Sequence, residues 1–249
     1  MTSADQLSFH TVIMGEGAPV VFIHGLLVGN LATWYFSAAP KLSQSHHVLL
    51  YDLRGHGKSP RTQSGYDLDT MTHDLENLVD SFSTEPLTLV GHSYGALIAL
   101  NYALSHPEQV KALVLVEAPL PPSELQEMRA ILAASSDDMV AALPPELQGM
   151  LQSGGRRARR FLEGLHFLTA ESTLLEDLRN TPDISDEQLA RLHCPVLCLY
   201  GEQSSCKQVG ERLVRVIPDA RLELLPGGHF LPLEAADEVS NRILEFVRG

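Results

Sequence analysis

The stretch of this chain best equipped for chemistry is a serine between two glycines, Gly91-His92-Ser93-Tyr94-Gly95. Residues 86–90 (Pro-Leu-Thr-Leu-Val) enter it as a short, β-rich apolar run, and residues 96–104 leave it as a buried helical one. Strand, G-x-S-x-G and helix in that order form a nucleophile elbow. So tight a turn holds the serine in a strained backbone conformation with its oxygen raised above the sheet. The flanking glycines remove Cβ atoms that would collide there. A serine hydroxyl is a poor nucleophile until a base takes its proton, so a histidine must come from elsewhere. His229, in Pro226-Gly227-Gly228-His229-Phe230, follows a β-like run at 221–225 and precedes an amphipathic segment at 235–247. It is therefore expected on a loop at the end of a strand, within reach of Ser93. His10, His46, His47, His73, His106, His166 and His193 lie in surface-like or helical contexts that suit solvated or packed side chains. His24, His56 and His92 sit in glycine-containing turns and are expected to support structure rather than transfer protons.

Taken together these motifs resemble the α/β-hydrolase family, and the resemblance runs nearly end to end. Residues 20–23 lead into His24-Gly25-Leu26, which is similar to the family's oxyanion-hole turn. Residues 52–59 (Asp-Leu-Arg-Gly-His-Gly-Lys-Ser) resemble its second signature loop, and the elbow and the late Gly-His follow in order. The resemblance implies that the backbone N–H groups of Leu26 and Tyr94 bind the oxyanion. It also implies an α/β fold with a mostly parallel, eight-stranded-type sheet, helices on both faces and an inserted helical cap. The chain departs from the commonest family pattern at the acid. The usual Gly-x-x-Asp turn reads Gly201-Glu202-Gln203-Ser204, so Ser204 stands where the aspartate would be. In some branches, among them several haloalkane dehalogenases and lipases, the acid instead ends the strand after the elbow helix. Here that strand is 111–116 and Glu117 follows it directly. A carboxylate at a buried strand end needs a partner, which an imidazole would supply. Glu117 is the expected acid; Glu202 and a weak or absent acid are the alternatives.

Composition is compatible with this. With 249 residues, 44% hydrophobic and 20% charged, the chain can bury a substantial core in one domain with an insertion. A formal net charge of −13 argues against nucleic acid or anionic membrane as a partner. No apolar run approaches the roughly 18 residues that span a bilayer, and no basic n-region precedes an apolar h-region, so a cytoplasmic protein is expected. Three cysteines, Cys194, Cys198 and Cys206, suit a reducing compartment and lack zinc-site spacing. Gly15-Glu16-Gly17 precedes a strand rather than following one, which is wrong for a dinucleotide fingerprint. Neither cofactor nor metal is expected.

Short apolar strands alternate with helical stretches except between 119 and 193, where helical patterns at 124–134, 137–143, 156–168 and 186–192 occur without a strand. The expected organisation is therefore a core of 1–118 and 194–249 with a helical cap at 119–193. Apolar cap residues such as Met128, Leu132, Phe161 and Phe167 would mostly pack the cap, with a few lining a pocket. Arg156, Arg157, Arg159 and Arg160 place four positive charges in an acidic chain. Such runs are usually solvated helix faces, and the functional alternative is a dock for the phosphorylated arm of coenzyme A or an acyl carrier protein. The expected activity is a serine esterase or thioesterase working through an acyl-enzyme on Ser93, with His229 as base and Glu117 as its acid. Carbon–carbon hydrolase, acyltransferase and lyase chemistry on the same triad stay open, as does a slow-turnover small-molecule receptor. Haloalkane dehalogenase and epoxide hydrolase activities do not fit, because those families use aspartate at the elbow.

Overall fold

The computed structural model describes residues 7–120, 143 and 145–248. Seven strands form one sheet: β1 Thr11–Met14, β2 Ala18–Ile23, β3 His46–Tyr51, β4 Leu87–His92, β5 Val110–Val116, β6 Val196–Gly201 and β7 Ala220–Leu225. Their spatial order is β1-β3-β2-β4-β5-β6-β7, with β1 antiparallel to β3 and every other pairing parallel. The count is seven among the described residues, not the eight expected, because residues 7–10 carry no strand and the antiparallel edge is supplied by β1 alone.

Alternate residues on one strand serve opposite faces, and the core divides accordingly. Val21, Ile23, Leu113 and Leu115 pack on one side beneath α3 (Leu68–Phe82) and α4 (Tyr94–Ser105). Val20, Phe22, Val114 and Val116 pack on the other against α1 (Ala32–Tyr35), α2 (Ala38–Leu42) and the C-terminal helix Ala236–Arg248. A sheet covered on both faces needs apolar residues at every position, which is why β4 to β6 read as continuous apolar runs. Asp67 starts α3 by accepting the Thr70 amide at 2.9 Å, a side-chain N-cap.

Between β5 and β6 the described helices are α5 (Pro145–Gln152), α6 (Arg156–His166) with a π-turn at Phe167–Glu171, α7 (Leu174–Arg179) and α8 (Asp186–Leu189). The expected helical stretch at 124–134 lies outside the described residues, as does 137–143 apart from its last residue. Phe167 and Leu168 are buried against the core. Asp177 accepts the Tyr66 amide at 3.0 Å, and the Gln63 carbonyl accepts the Thr173 amide at 2.8 Å. The insertion is thereby tied to the loop ahead of α3. All four arginines of α6 are exposed, and Ala158 between them is the helix's one buried residue.

The chain reverses its direction of travel across the sheet between β2, flanked by β3, and β4, flanked by β5. In open α/β sheets ligands bind at the carboxyl ends of the strands at such a switch point. The His24-Gly25-Leu26 turn follows β2 there, and Ser93 follows β4.

Candidate active site

Ser93 has φ 53° and ψ −126°, a conformation that costs a non-glycine residue of order 1–3 kcal/mol and persists only where surrounding contacts enforce it. Those contacts are visible. A Cβ on Gly95 would run into the backbone carbonyls of Ile23 and His24, and one on Gly91 into Gly95 and Ala96, so α4 sits directly on the end of β2. The Ser93 amide donates to the Val116 carbonyl at 2.9 Å, which extends the β4–β5 ladder by one step and fixes the serine beside the end of β5. Two more non-glycine residues with positive φ border this region, Leu27 at 71° and Glu117 at 55°.

The same ladder logic fixes Glu117. Its amide donates to the Leu199 carbonyl at 2.9 Å, one step beyond the β5–β6 register. The side chain is fully buried, where a carboxylate is tolerated only if its oxygens are hydrogen-bonded. Oε1 accepts the Gly201 amide at 2.5 Å, and Oε2 accepts the Ser204 hydroxyl in a short contact. Oε2 also lies 3.3 Å from Nδ1 of His229. On its other side, Nε2 of His229 lies 2.9 Å from the Ser93 oxygen. Because a carboxylate only accepts, Nδ1 carries the proton and Nε2 is left to accept from Ser93. Glu202 is exposed; its amide, but not its carboxylate, joins the β6–β7 loops by donating to Leu225 at 2.9 Å.

His229 is held by its own backbone. His92 Nε2 donates to the His229 carbonyl at 2.8 Å, and the Glu234 carboxylate accepts the Gly228 amide at 2.5 Å. Burial opposes charge on the ring, yet the groups facing Nδ1, Cys206 and then Glu117, outweigh it and raise the His229 pKa above 6.5, to about 9. Burial pushes His92 the other way, down to about 3, with the His229 charge adding to the effect. His92 is thus a neutral strut.

Two further histidines clamp the turn after β2. His24 donates from Nδ1 to Gly25 at 2.7 Å and accepts the Leu53 amide on Nε2 at 3.0 Å. His56 donates to Arg54 at 2.7 Å and accepts the Leu27 amide at 2.8 Å. Burial lowers both, His56 to about 3. Asp52 completes the brace by accepting the Leu31 amide at 2.8 Å and the Lys58 amide at 2.9 Å. Leu26 and Tyr94, whose amides were singled out in the sequence, follow β2 and Ser93 respectively and are both buried.

Two neighbours of the site have roles that sequence reasoning did not assign. Ser204 supports Glu117, and Cys206 places its sulfur 3.9 Å from Nδ1 of His229. The other cysteines behave as core: burial raises Cys194 and pushes Cys198 up to about 12.

A sequence profile described as alpha/beta hydrolase fold matches residues 18–151, more than half the chain. This chain belongs to the α/β-hydrolase family, and it is an enzyme of the α/β-hydrolase type. It is 29% identical over 246 residues to the dihydrolipoyllysine-residue acetyltransferase component of the acetoin cleaving system of Pseudomonas putida, covering 94% of this chain but 65% of that protein. It is 40% identical over 105 residues to an sn-1-specific diacylglycerol lipase of Danio rerio, covering 41% of this chain and 32% of the lipase. The alignments thus span less than two thirds of either relative. The enol-lactonase structure from Burkholderia xenovorans LB400 superposes with a TM-score of 0.80 at 19% identity, over 100% of this chain and 99% of that one. No described helix is long and apolar enough to cross a membrane.

Proposed function

We propose that this chain is a serine hydrolase that cleaves a carboxylic ester or thioester of a small, largely apolar acyl substrate through an acyl-enzyme on Ser93. The observation that carries this reading is the unbroken line from the Ser93 oxygen through His229 to Glu117, 2.9 Å and 3.3 Å long, with the serine held in a strained elbow. In the first step Nε2 takes the Ser93 proton as the oxygen attacks the carbonyl carbon. Glu117 stabilises the imidazolium, and the amides of Leu26 and Tyr94 hold the oxyanion. Collapse expels the alcohol or thiol with the proton from Nε2. Water then repeats the sequence on the acyl-enzyme and releases the acid. The relatives' names, an acetyltransferase component, a lipase and a lactonase, support acyl chemistry.

Residues 119–193 act in this reading as a helical cap that roofs Ser93 and selects the acyl or alcohol group. The exposed arginines of α6 are the candidate dock for a phosphorylated carrier such as coenzyme A or acyl carrier protein. A cytoplasmic setting suits three cysteines that are all unpaired.

A fluorophosphonate probe followed by mass spectrometry tests the nucleophile, with a single adduct expected on Ser93. A chromogenic ester series should give a burst followed by steady turnover. An adduct elsewhere in active protein removes Ser93 from its role. Absence of burst and turnover on every ester and thioester favours a slow-turnover receptor that keeps the pocket.

A further inference from the structure

We infer that Glu117, Cys206 and His229 form an inhibitory site for a thiophilic divalent cation, with zinc as the physiological example. One donor atom from each, a carboxylate oxygen, Sγ and a ring nitrogen, lies within 4.8 Å of the other two. A tetrahedral zinc ion has bonds of about 2.0–2.3 Å, which sets nitrogen and oxygen donors about 3.3 Å apart and nitrogen and sulfur donors about 3.6 Å apart. The observed separations from Nδ1 are 3.3 Å to Oε2 of Glu117 and 3.9 Å to Sγ of Cys206. The nitrogen–oxygen pair already fits, the nitrogen–sulfur pair needs a few tenths of an ångström, and the oxygen–sulfur pair, no more than 4.8 Å apart, must draw in to about 3.6 Å as the ion binds.

The donor set suits the ion. Thiolate and imidazole select zinc or cadmium over magnesium or calcium, and thiolate plus carboxylate neutralise a divalent charge in a buried setting. The surroundings are already arranged for it. The Ser204 hydroxyl accepts the Cys206 amide at 3.0 Å while bonding Glu117, so one residue fixes two of the three donors. His229 keeps 21% of its side chain exposed, while Glu117 and Cys206 are buried.

The consequence for chemistry follows from the tautomer. Binding exchanges the Cys206 thiol proton for metal–sulfur bonding and releases that proton to solvent. It also places the metal on Nδ1, and the ring's single remaining proton then resides on Nε2. A protonated Nε2 cannot accept from Ser93, so the base is lost without any change in the nucleophile. The inhibitory effect rests on the acyl-transfer reading of Ser93 and His229, whereas occupancy by the ion does not.

Titration of the intact enzyme with Cd²⁺ should produce a thiolate-to-metal absorption band that saturates at one equivalent. Zn²⁺ should suppress ester turnover and fluorophosphonate labelling of Ser93 together, with EDTA restoring both. Cys206→Ala and the near-isosteric Cys206→Ser should lose the band and raise the inhibitory Zn²⁺ concentration at least tenfold, each variant being compared with its own metal-free turnover at a pH above its acid limb. Cys194→Ala should change none of these. A folded Cys206→Ala enzyme as sensitive to Zn²⁺ as the parent would overturn the site, as would a parent without the cadmium band. Should the parent turn over no ester at all, the band and its loss in Cys206→Ala still report occupancy, and only the acyl-transfer reading fails.

Discussion

Ser204 donates its hydroxyl to Oε2 of Glu117, the oxygen that faces His229. The residue at the family's commonest acid position thus holds the acid supplied by the neighbouring strand. A hydrogen bond to a charged group contributes about 1.5–3 kcal/mol, so Ser204→Ala should lower kcat by roughly ten- to a hundredfold with little change in KM. Steady-state kinetics on one ester checks this. Unchanged kcat would reduce Ser204 to a loop residue.

Glu117→Gln should lower kcat by several orders of magnitude in a folded protein. An amide can hold the wrong histidine tautomer and cannot stabilise imidazolium, and the comparable change in a serine protease triad costs about 10⁴. Glu202, whose side chain is exposed, should tolerate the same change. Near-native turnover in Glu117→Gln, with loss in Glu202→Gln, would return the acid to the later loop.

The acid limb of the pH profile of kcat/KM should lie above 6.5, because His229 is raised in the folded enzyme and only its neutral form accepts the serine proton. Activity therefore falls as pH drops through that raised value. Removing the carboxylate in Glu117→Gln withdraws one cause of the raise and should move the limb to lower pH while the plateau falls. A limb that stays put in the variant would show that Glu117 does not act on the ring.

Stability should decline in mild acid. His56 and His92 are held at about 3 by burial, against 6.5 when unfolded, so below 6.5 the unfolded chain binds protons that the folded one refuses. The stability is fully present above 6.5 and drains away as pH falls toward 3. At pH 5 each histidine costs about 2 kcal/mol relative to pH 7. Denaturant midpoints at the two pH values read this directly, and equal midpoints would contradict neutral burial of these rings.

For the arginines of α6, replacing Arg156, Arg157, Arg159 and Arg160 with glutamine should raise KM for coenzyme A thioesters and leave simple esters unaffected. Equal effects on both substrate types would make the row a solvated helix face.

Local features of the sequence determined much of this enzyme. The apolar runs at 86–90, 111–116 and 195–200 coincide with β4, β5 and β6 because buried parallel strands need apolar residues on both faces. Gly91 and Gly95 mark the elbow because its packing leaves no room for a Cβ on either side. Glu117 could be ranked above Glu202 only from its place at a strand end and a family resemblance. What tertiary structure alone decided is which of these strand ends meet. His92 pairs with Val116 and Val116 with Leu199, and this register carries Ser93 and Glu117 to the same end of the sheet, with the Gly201 amide close enough to bond the Glu117 carboxylate. Ser204 drew notice only as the residue standing in place of an aspartate, which did not reveal its role as a donor to Glu117, and Cys206 had no signal of its own, since a cysteine in a loop is an ordinary residue in any linear reading. Their partners lie 87 and 23 residues away in the chain, and only the stacking of the β6 and β7 loops over the end of β5 brings hydroxyl, sulfur, carboxylate and imidazole into contact.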